Sequence, residues 1–193
     1  MRILQESILN CHSCQLRSSC TRPVVGHSSA PTNSKPPVLV VGEAPGQEED
    51  LQGVPFVGKS GKLLRDTLLA ASDERPNIFY ITNTVKCRPV NNATPSLEQS
   101  MQCASNHLIR EIEILQPSVV LCVGKVASTA IKTLFNQDAG PAINVDYSVK
   151  FNDSQIGVHG VFHPAYVLRS NQPNNQLKDA WTERIRSIIN RYI

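Results

Sequence analysis

Val38-Leu39-Val40-Val41-Gly42-Glu43-Ala44-Pro45-Gly46 is the stretch that decides the fold. Four apolar residues, three of them β-branched, run without a polar break to a glycine, and a Pro- and Gly-containing turn follows at once. A short run of that kind, bounded by turn residues, reads as a buried strand and its exit. Similar runs recur at Ile78 to Thr82 and at Val119 to Val123, each separated from the next by a stretch of helical periodicity. Strands that alternate with helices imply a parallel sheet covered on both faces. The expected fold is α/β: a three-layer α/β/α sandwich with a central, mostly parallel four-stranded sheet.

The longest helix is predicted to begin at Thr94 as N-cap with Pro95 in the first turn, where a missing N–H costs nothing. Leu97, Met101, Ala104, Leu108, Ile112 and Leu115 then make one apolar face until Pro117 stops the helix. A last helix, from about Asn175 to Tyr192, repeats this logic with Leu177, Trp181, Ile185 and Ile188. Between Pro141 and Val161, alternation and an Asn152-Asp153-Ser154 turn predict a hairpin. At the other end, residues 2 to 10 suit a short helix that leads into Cys11-His12-Ser13-Cys14, and Arg17 to Pro37 reads as an irregular surface arm. One domain over residues 1–193, with an N-terminal arm of about 1–37, is the expected organisation.

With 193 residues and 40% apolar composition, the chain can bury an ordinary core without disulfides. It holds no apolar run long enough to span a membrane, and its first residues lack the basic start and apolar stretch of a signal peptide. A soluble cytoplasmic protein that makes no membrane contact is expected. The net charge of +3 permits a polyanionic partner without singling one out.

Six cysteines in such a chain are metal ligands, core residues or reactive thiols more often than disulfides. Cys11 and Cys14 form a C-x2-C pair, and Cys87 and Cys103 lie far away with fifteen residues between them. One close pair and two distant thiols can complete a four-thiolate site, and spacing alone leaves zinc and an iron–sulfur cluster both open. Cys122 sits inside an apolar strand and belongs to the core, whereas Cys20 lies near enough to the first pair to compete as a ligand.

Four motifs sit where chemistry collects. The Gly42–Gly46 turn leaves a strand end, the place where open α/β sheets bind ligands. Gly53-Val54-Pro55-Phe56-Val57-Gly58 sets an aromatic between two turns and opens a helix with Lys59, Ser60, Gly61 and Lys62. It does not fit a P-loop, although a helix N-terminus there suits an anion. Asn83 ends the second strand in Asn-Thr-Val-Lys-Cys-Arg-Pro, and His163 opens His-Pro-Ala-Tyr-Val-Leu-Arg after the final one. Taken singly, each has an ordinary reading: a solvated Glu, a core Phe, a turn-forming Asn and a hydrogen-bonded His.

Taken together, in order, spacing and strand-end placement from Cys11 to Arg169, the set resembles the family 4 uracil-DNA glycosylases. That family is the iron–sulfur branch of the uracil-DNA glycosylase superfamily. The resemblance implies an enzyme that flips uracil out of DNA and hydrolyses its N-glycosidic bond, leaving an abasic site for base excision repair. It implies a 4Fe-4S cluster on Cys11, Cys14, Cys87 and Cys103, with a structural rather than redox task. Phe56 would stack on the uracil, and Asn83 would read its O4 and N3–H. His163 would donate to O2, helped by backbone N–H groups of the Glu43 to Gln47 turn, with Gly42, Ala44 and Gln47 among the substrate-binding residues, and Glu43 would position water and stabilise the sugar cation. Glu49 would crowd the C5 position against thymine. Leu168 would wedge into the duplex beside Arg169, with Lys59, Lys62, Arg88 and Lys125 along the DNA track.

Two departures stand out. The family pattern N-R-x-P reads Asn92-Ala93-Thr94-Pro95 here, so an arginine is missing, and Ala44 stands where the family 1 branch has a water-aligning Asp. No extra basic loop of the covalent uracil-trapping branch is visible, so turnover is expected. The uracil-containing DNA would be met by a monomer, and replication or repair partners are unspecified. Two rivals come from other classes: a nucleic-acid-binding module that kept the fold and lost catalysis, and a colourless zinc-stabilised binding protein.

Overall fold

The computed structural model describes residues 1–31, 35–137, 143–170 and 175–193. Six strands form one sheet among them: β1 (His27–Ser28), β2 (Val38–Gly42), β3 (Phe79–Asn83), β4 (Val119–Val123), β5 (Asp146–Phe151) and β6 (Ser154–Val161), in the order β1-β3-β2-β4-β6-β5. The four inner strands are parallel, whereas β1 and β5 pair antiparallel at the edges. The expected four-stranded sheet is therefore the parallel centre of a six-stranded mixed one. The two-residue β1 lies within the irregular arm, too short for any periodicity to announce it. The predicted hairpin is β5–β6; Pro141, where it was expected to begin, lies outside the described residues.

Among the described residues, eight α-helices accompany the strands: α1 (Arg2–Leu9), α2 (Gln47–Gln52), α3 (Lys59–Ala71), α4 (Leu97–Cys103), α5 (Ile109–Leu115), α6 (Lys125–Leu134), α7 (Pro164–Arg169) and α8 (Gln176–Ile189). Side-chain alternation along the strands separates two cores. Val38, Val40, Phe79, Ile81, Val119 and Leu121 face Leu64 and Leu68 of α3 and Trp181, Ile185 and Ile188 of α8. Leu39, Val41, Tyr80, Val120 and Cys122 face Leu108, Ile112 and Ile131 on the other side. Burial on both faces explains the unbroken apolar runs, and Cys122 is core as expected.

The long helix begins two residues later than predicted. Ser96 is its N-cap: Gln99 N–H donates to Ser96 Oγ at 3.1 Å, and Ser96 N–H donates to Gln99 Oε1 at 3.0 Å. That reciprocal box satisfies two orphan donors, and Thr94 cannot build it because Leu97 stands three residues on. Leu97, expected on the apolar face, is the first residue of this helix and is exposed. Between α4 and α5 the helix also widens into a π-helical turn over Ala104–Leu108.

From β2 the chain passes to β3 on one side and later returns to β4 on the other, so the strand order reverses between β2 and β4. Ligands collect outside the carboxyl ends of strands at such a reversal. At the far edge, Asp146 Oδ1 lies 2.7 Å from His159 Nδ1 and 2.8 Å from an Arg184 nitrogen. Burial alone would raise the Asp146 carboxyl, but hydrogen bonds from His159 and Arg184 and the Arg184 charge bring it below its ordinary value. The stability this group contributes is present above the usual carboxylate range and is lost as pH falls through the lowered pKa. Asp146→Asn is expected to lower stability at neutral pH and flatten the acid limb of a urea-denaturation series against pH.

Candidate active site

β2 and β3 end in register, with Gly42 beside Asn83. Outside these ends lies a cavity of about 430 Å3, walled by Glu43, Ala44, Glu49, Phe56, Asn83, His163 and Arg169 among others. The aromatic ring, the carboxamide and the imidazole thus meet in one cleft, as the motifs predicted. Gly42 and Gln47 do not line it, and neither do Lys59, Lys62, Arg88, Lys125 or Leu168.

Gly42 serves the cleft by its missing side chain. A Cβ there would collide with both the Phe56 ring and Asn83 Oδ1, so only glycine lets these two groups approach. Phe56 itself has φ +56°, a left-handed conformation that costs a non-glycine residue about 1 kcal/mol or more. The surroundings impose it. Arg65 donates to the carbonyls of Phe56 at 2.9 Å and Pro55 at 2.6 Å. Glu49 Oε1 accepts from the N–H groups of Val57 and Gly58, both at 2.8 Å, while its Oε2 accepts from Gly46 N–H at 3.1 Å. The buried Glu49 carboxylate therefore fastens the Phe56 loop to the turn after β2.

His163 is the N-cap of α7, and its Nδ1 accepts from Ala165 N–H at 3.2 Å. An acceptor at Nδ1 puts the ring proton on Nε2, which leaves a donor free for a ligand. Burial, reinforced by Arg169 and opposed by Glu49, lowers the His163 pKa, so the neutral ring prevails at pH 7. Gly124, with φ +96°, packs against this imidazole. Glu43 is half-buried, and burial raises its carboxyl while a hydrogen bond from Thr94 opposes the rise. Thr94, expected as a helix cap, instead belongs to the cavity wall.

Asn83 is fixed from behind. Lys86 is fully buried and donates to Asn83 carbonyl O at 2.8 Å, Thr82 Oγ1 at 2.6 Å and Glu111 Oε2 at 2.8 Å. Thr82 and Tyr80 hydroxyls complete the Glu111 shell. In front, the buried Asn83 Oδ1 has no partner in the protein. The sequence reading gives no site role to Lys86, Glu111, Arg65 or Thr94. The Lys inside a strand-end motif and the Glu on the apolar face of a helix were the signals available.

The predicted ligands Cys11, Cys14, Cys87 and Cys103 all line one small gap beside Ile8, Val85 and His107. Their thiols are free. Burial pushes the Cys103 thiol up to about 11, with Lys86 opposing through its charge and backbone N–H and Cys14 and Cys11 adding to the rise. Burial also raises Cys87, as do its hydrogen bond and charge interaction with Cys20 and the charges of Cys103 and Cys14. Cys20 therefore stands at the edge of the same group. Among the described residues no three His, Cys, Asp or Glu side chains converge closely enough to hold a single metal ion. The arm is tied down around this gap: Gln102 Nε2 donates to Ser13 O at 2.8 Å, Val24 N–H to Lys86 O at 2.7 Å, and Thr21 N–H to the buried Asp50 carboxylate at 2.9 Å.

Of the predicted DNA-contacting residues, Arg169 reaches the cavity wall from the last turn of α7, and Leu168 beside it is 41% exposed. Lys59 and Lys125 open α3 and α6 on the surface, Lys62 pairs with Asp66 at 3.7 Å, and Arg88 Nε donates to Asn92 Oδ1 at 2.7 Å.

The profile described as the Uracil DNA glycosylase superfamily matches residues 30–186. The chain belongs to that superfamily. Its relatives narrow the assignment to the type-4 group. A type-4 uracil-DNA glycosylase of Archaeoglobus fulgidus is 38% identical over 164 residues, covering 83% of this chain and 79% of the relative. One from Thermotoga maritima is 35% identical over 184 residues, covering 92% and 87%, respectively. A third, from Pyrobaculum aerophilum, is 37% identical over 169 residues, covering 86% and 83%.

Removing one member of a buried ion pair leaves the other charge stranded. Lys86→Met is therefore expected to cost about 3–5 kcal/mol of stability, read from the midpoint of chemical denaturation.

Proposed function

We propose that this protein is a monofunctional uracil-DNA glycosylase, a hydrolase that breaks the bond between uracil N1 and deoxyribose C1′ and leaves an abasic site for base excision repair. The observation that carries this reading is the buried, unpartnered Asn83 Oδ1 in the cleft that Phe56 and His163 share. A buried acceptor without a donor is costly, and the N3–H of a flipped uracil supplies one. The Asn83 amide N–H then meets O4. Cytosine presents its donor and acceptor in the opposite order, so the same amide orientation meets two mismatches.

Phe56, locked in its left-handed conformation, provides the stacking surface. As the glycosidic bond lengthens, negative charge gathers on the base and positive charge on the sugar. His163 Nε2–H donates to O2, and the backbone N–H groups of the turn from Glu43 to Gln47 assist as in an oxyanion hole. The ionised Glu43 carboxylate positions the water and faces the sugar cation, which is the part Ala44 cannot play. Glu49 crowds C5 and, through the loop it fastens, keeps the ring of Phe56 in place. Leu168 enters the duplex with Arg169 on a phosphate, and Lys59, Lys62, Arg88 and Lys125 contribute diffuse attraction that weakens with salt.

Cys11, Cys14, Cys87 and Cys103 would hold a 4Fe-4S cluster. Crowded thiols that raise one another's pKa suit a site where a cationic metal group takes the protons' place, and His107 in the same gap is a buried polar ring without a partner in the protein. A group of several irons reaches each thiol from a different corner, and so asks less convergence than one zinc bound at about 2.3 Å. When bound it supplies a structural tie between the arm, the Cys87 loop and α4, with no electron transfer in the hydrolysis. The unit is a single glycosylase domain over residues 1–193 that works as an intracellular monomer on uracil-containing DNA. No helix among the described residues is long and apolar enough to cross a membrane.

The test is incubation with a uracil-containing oligonucleotide followed by alkali, which breaks the strand at abasic sites. Wild type is expected to yield cleaved strand; DNA binding without cleavage would instead identify a silent binding module. His163→Ala is expected to slow release by about 10²–10³-fold, and Asn83→Asp by at least that much, since Asp offers no N–H to O4. Glu43 works ionised, so activity falls as pH drops through its raised pKa. Thr94→Val removes the bond that opposes the rise and is expected to move the acid limb of kcat/KM to higher pH.

A further inference from the structure

His107 takes no part in the cleft at the strand ends. It is 5% exposed, and neither ring nitrogen has a partner in the protein. Buried polar groups almost always find hydrogen bonds, and an apolar side chain beside Ile8, Leu16 and Val85 would avoid the cost altogether. The ring instead helps wall the gap that holds Cys11, Cys14, Cys87 and Cys103. Its backbone belongs to the π-helical turn Ala104–Leu108, which begins directly after Cys103. Such turns are rare within α-helices and are frequent where a side chain must be aimed at a functional group. Two independent observations, an orphaned polar ring and a locally widened helix, thus point into one gap.

We propose that His107 donates a ring N–H to a sulfur of the iron–sulfur cluster, a cysteine thiolate or an inorganic sulfide, and so sets the cluster's electron density and its endurance in air. This rests on the cofactor reading given above. The ring carries an N–H whether neutral or protonated, so the donation does not depend on its charge. Sulfur atoms on a cluster are electron-rich acceptors, and hydrogen bonds to them withdraw density and raise the reduction potential. His107 is a tuning residue and touches no reacting atom.

The test compares wild type, His107→Phe, which keeps a ring and removes the donor, and His107→Gln, which keeps an N–H of similar reach. Each is purified without air and assayed for iron and acid-labile sulfide. Resonance Raman spectra of the Fe–S stretches are then taken in H2O and D2O, with the midpoint potential and the rate of bleaching in air. Wild type and His107→Gln are expected to show a deuterium-sensitive Fe–S band that His107→Phe lacks. His107→Phe should also have a lower midpoint potential and bleach several-fold faster. Should the phenyl ring prove too large for folding, His107→Leu removes the donor with less bulk. Iron-loaded apolar variants with the isotope shift, potential and bleaching rate of wild type would overturn the inference while leaving the cofactor intact. Wild type without iron would overturn the cofactor reading itself.

Discussion

The ion pair of Lys86 and Glu111 is the interaction on which the active region depends. Both side chains are almost wholly withdrawn from solvent and meet at 2.8 Å. Two charges taken out of water are tolerable only when nearly every donor and acceptor around them is used. That condition is met: the ammonium has three acceptors, and two hydroxyls complete the carboxylate's shell. Such a network has few alternative arrangements. One of its acceptors is the main-chain oxygen of Asn83, so the ending of β3 is set from within the core.

A second constraint acts from the opposite wall. The backbone of Phe56 adopts a conformation its side chain disfavours; Arg65 and Glu49 hold the loop there, and Gly42 and Gly61 leave the space it needs. Strain of this type persists where surrounding contacts outweigh it, and it gives a rigid aromatic surface before any ligand arrives. His163, whose tautomer is decided by Ala165 N–H, lines the same cleft, and Lys86 sets the main chain of Asn83 behind it.

Much of this was legible in the chain. The runs at Val38, Ile78 and Val119 are apolar on both faces, so they announced the parallel centre directly, and the strand-end motifs placed Phe56, Asn83 and His163 together. The edge strand β1 was invisible because two residues hold no period. Pro95 makes Thr94 resemble a cap, whereas the complete capping box at Ser96 and Gln99 is the stronger start signal. Lys86 and Glu111 were hidden for a different reason. A charged residue reads as exposed unless its partner is known, and these two lie 25 positions apart.

The short helix α2 carries Glu49 and Asp50 side by side, and both are buried. Successive side chains on a helix diverge by about 100°. One carboxylate therefore grips the loop of Phe56 while its neighbour grips the chain at Thr21 and Arg22, just beyond Cys20. α2 is a crossbar between the thiol-bearing arm and the aromatic wall. Loosening of the arm, by oxidation or by loss of whatever the thiols hold, would be transmitted along this crossbar as slack in the cleft at the strand ends.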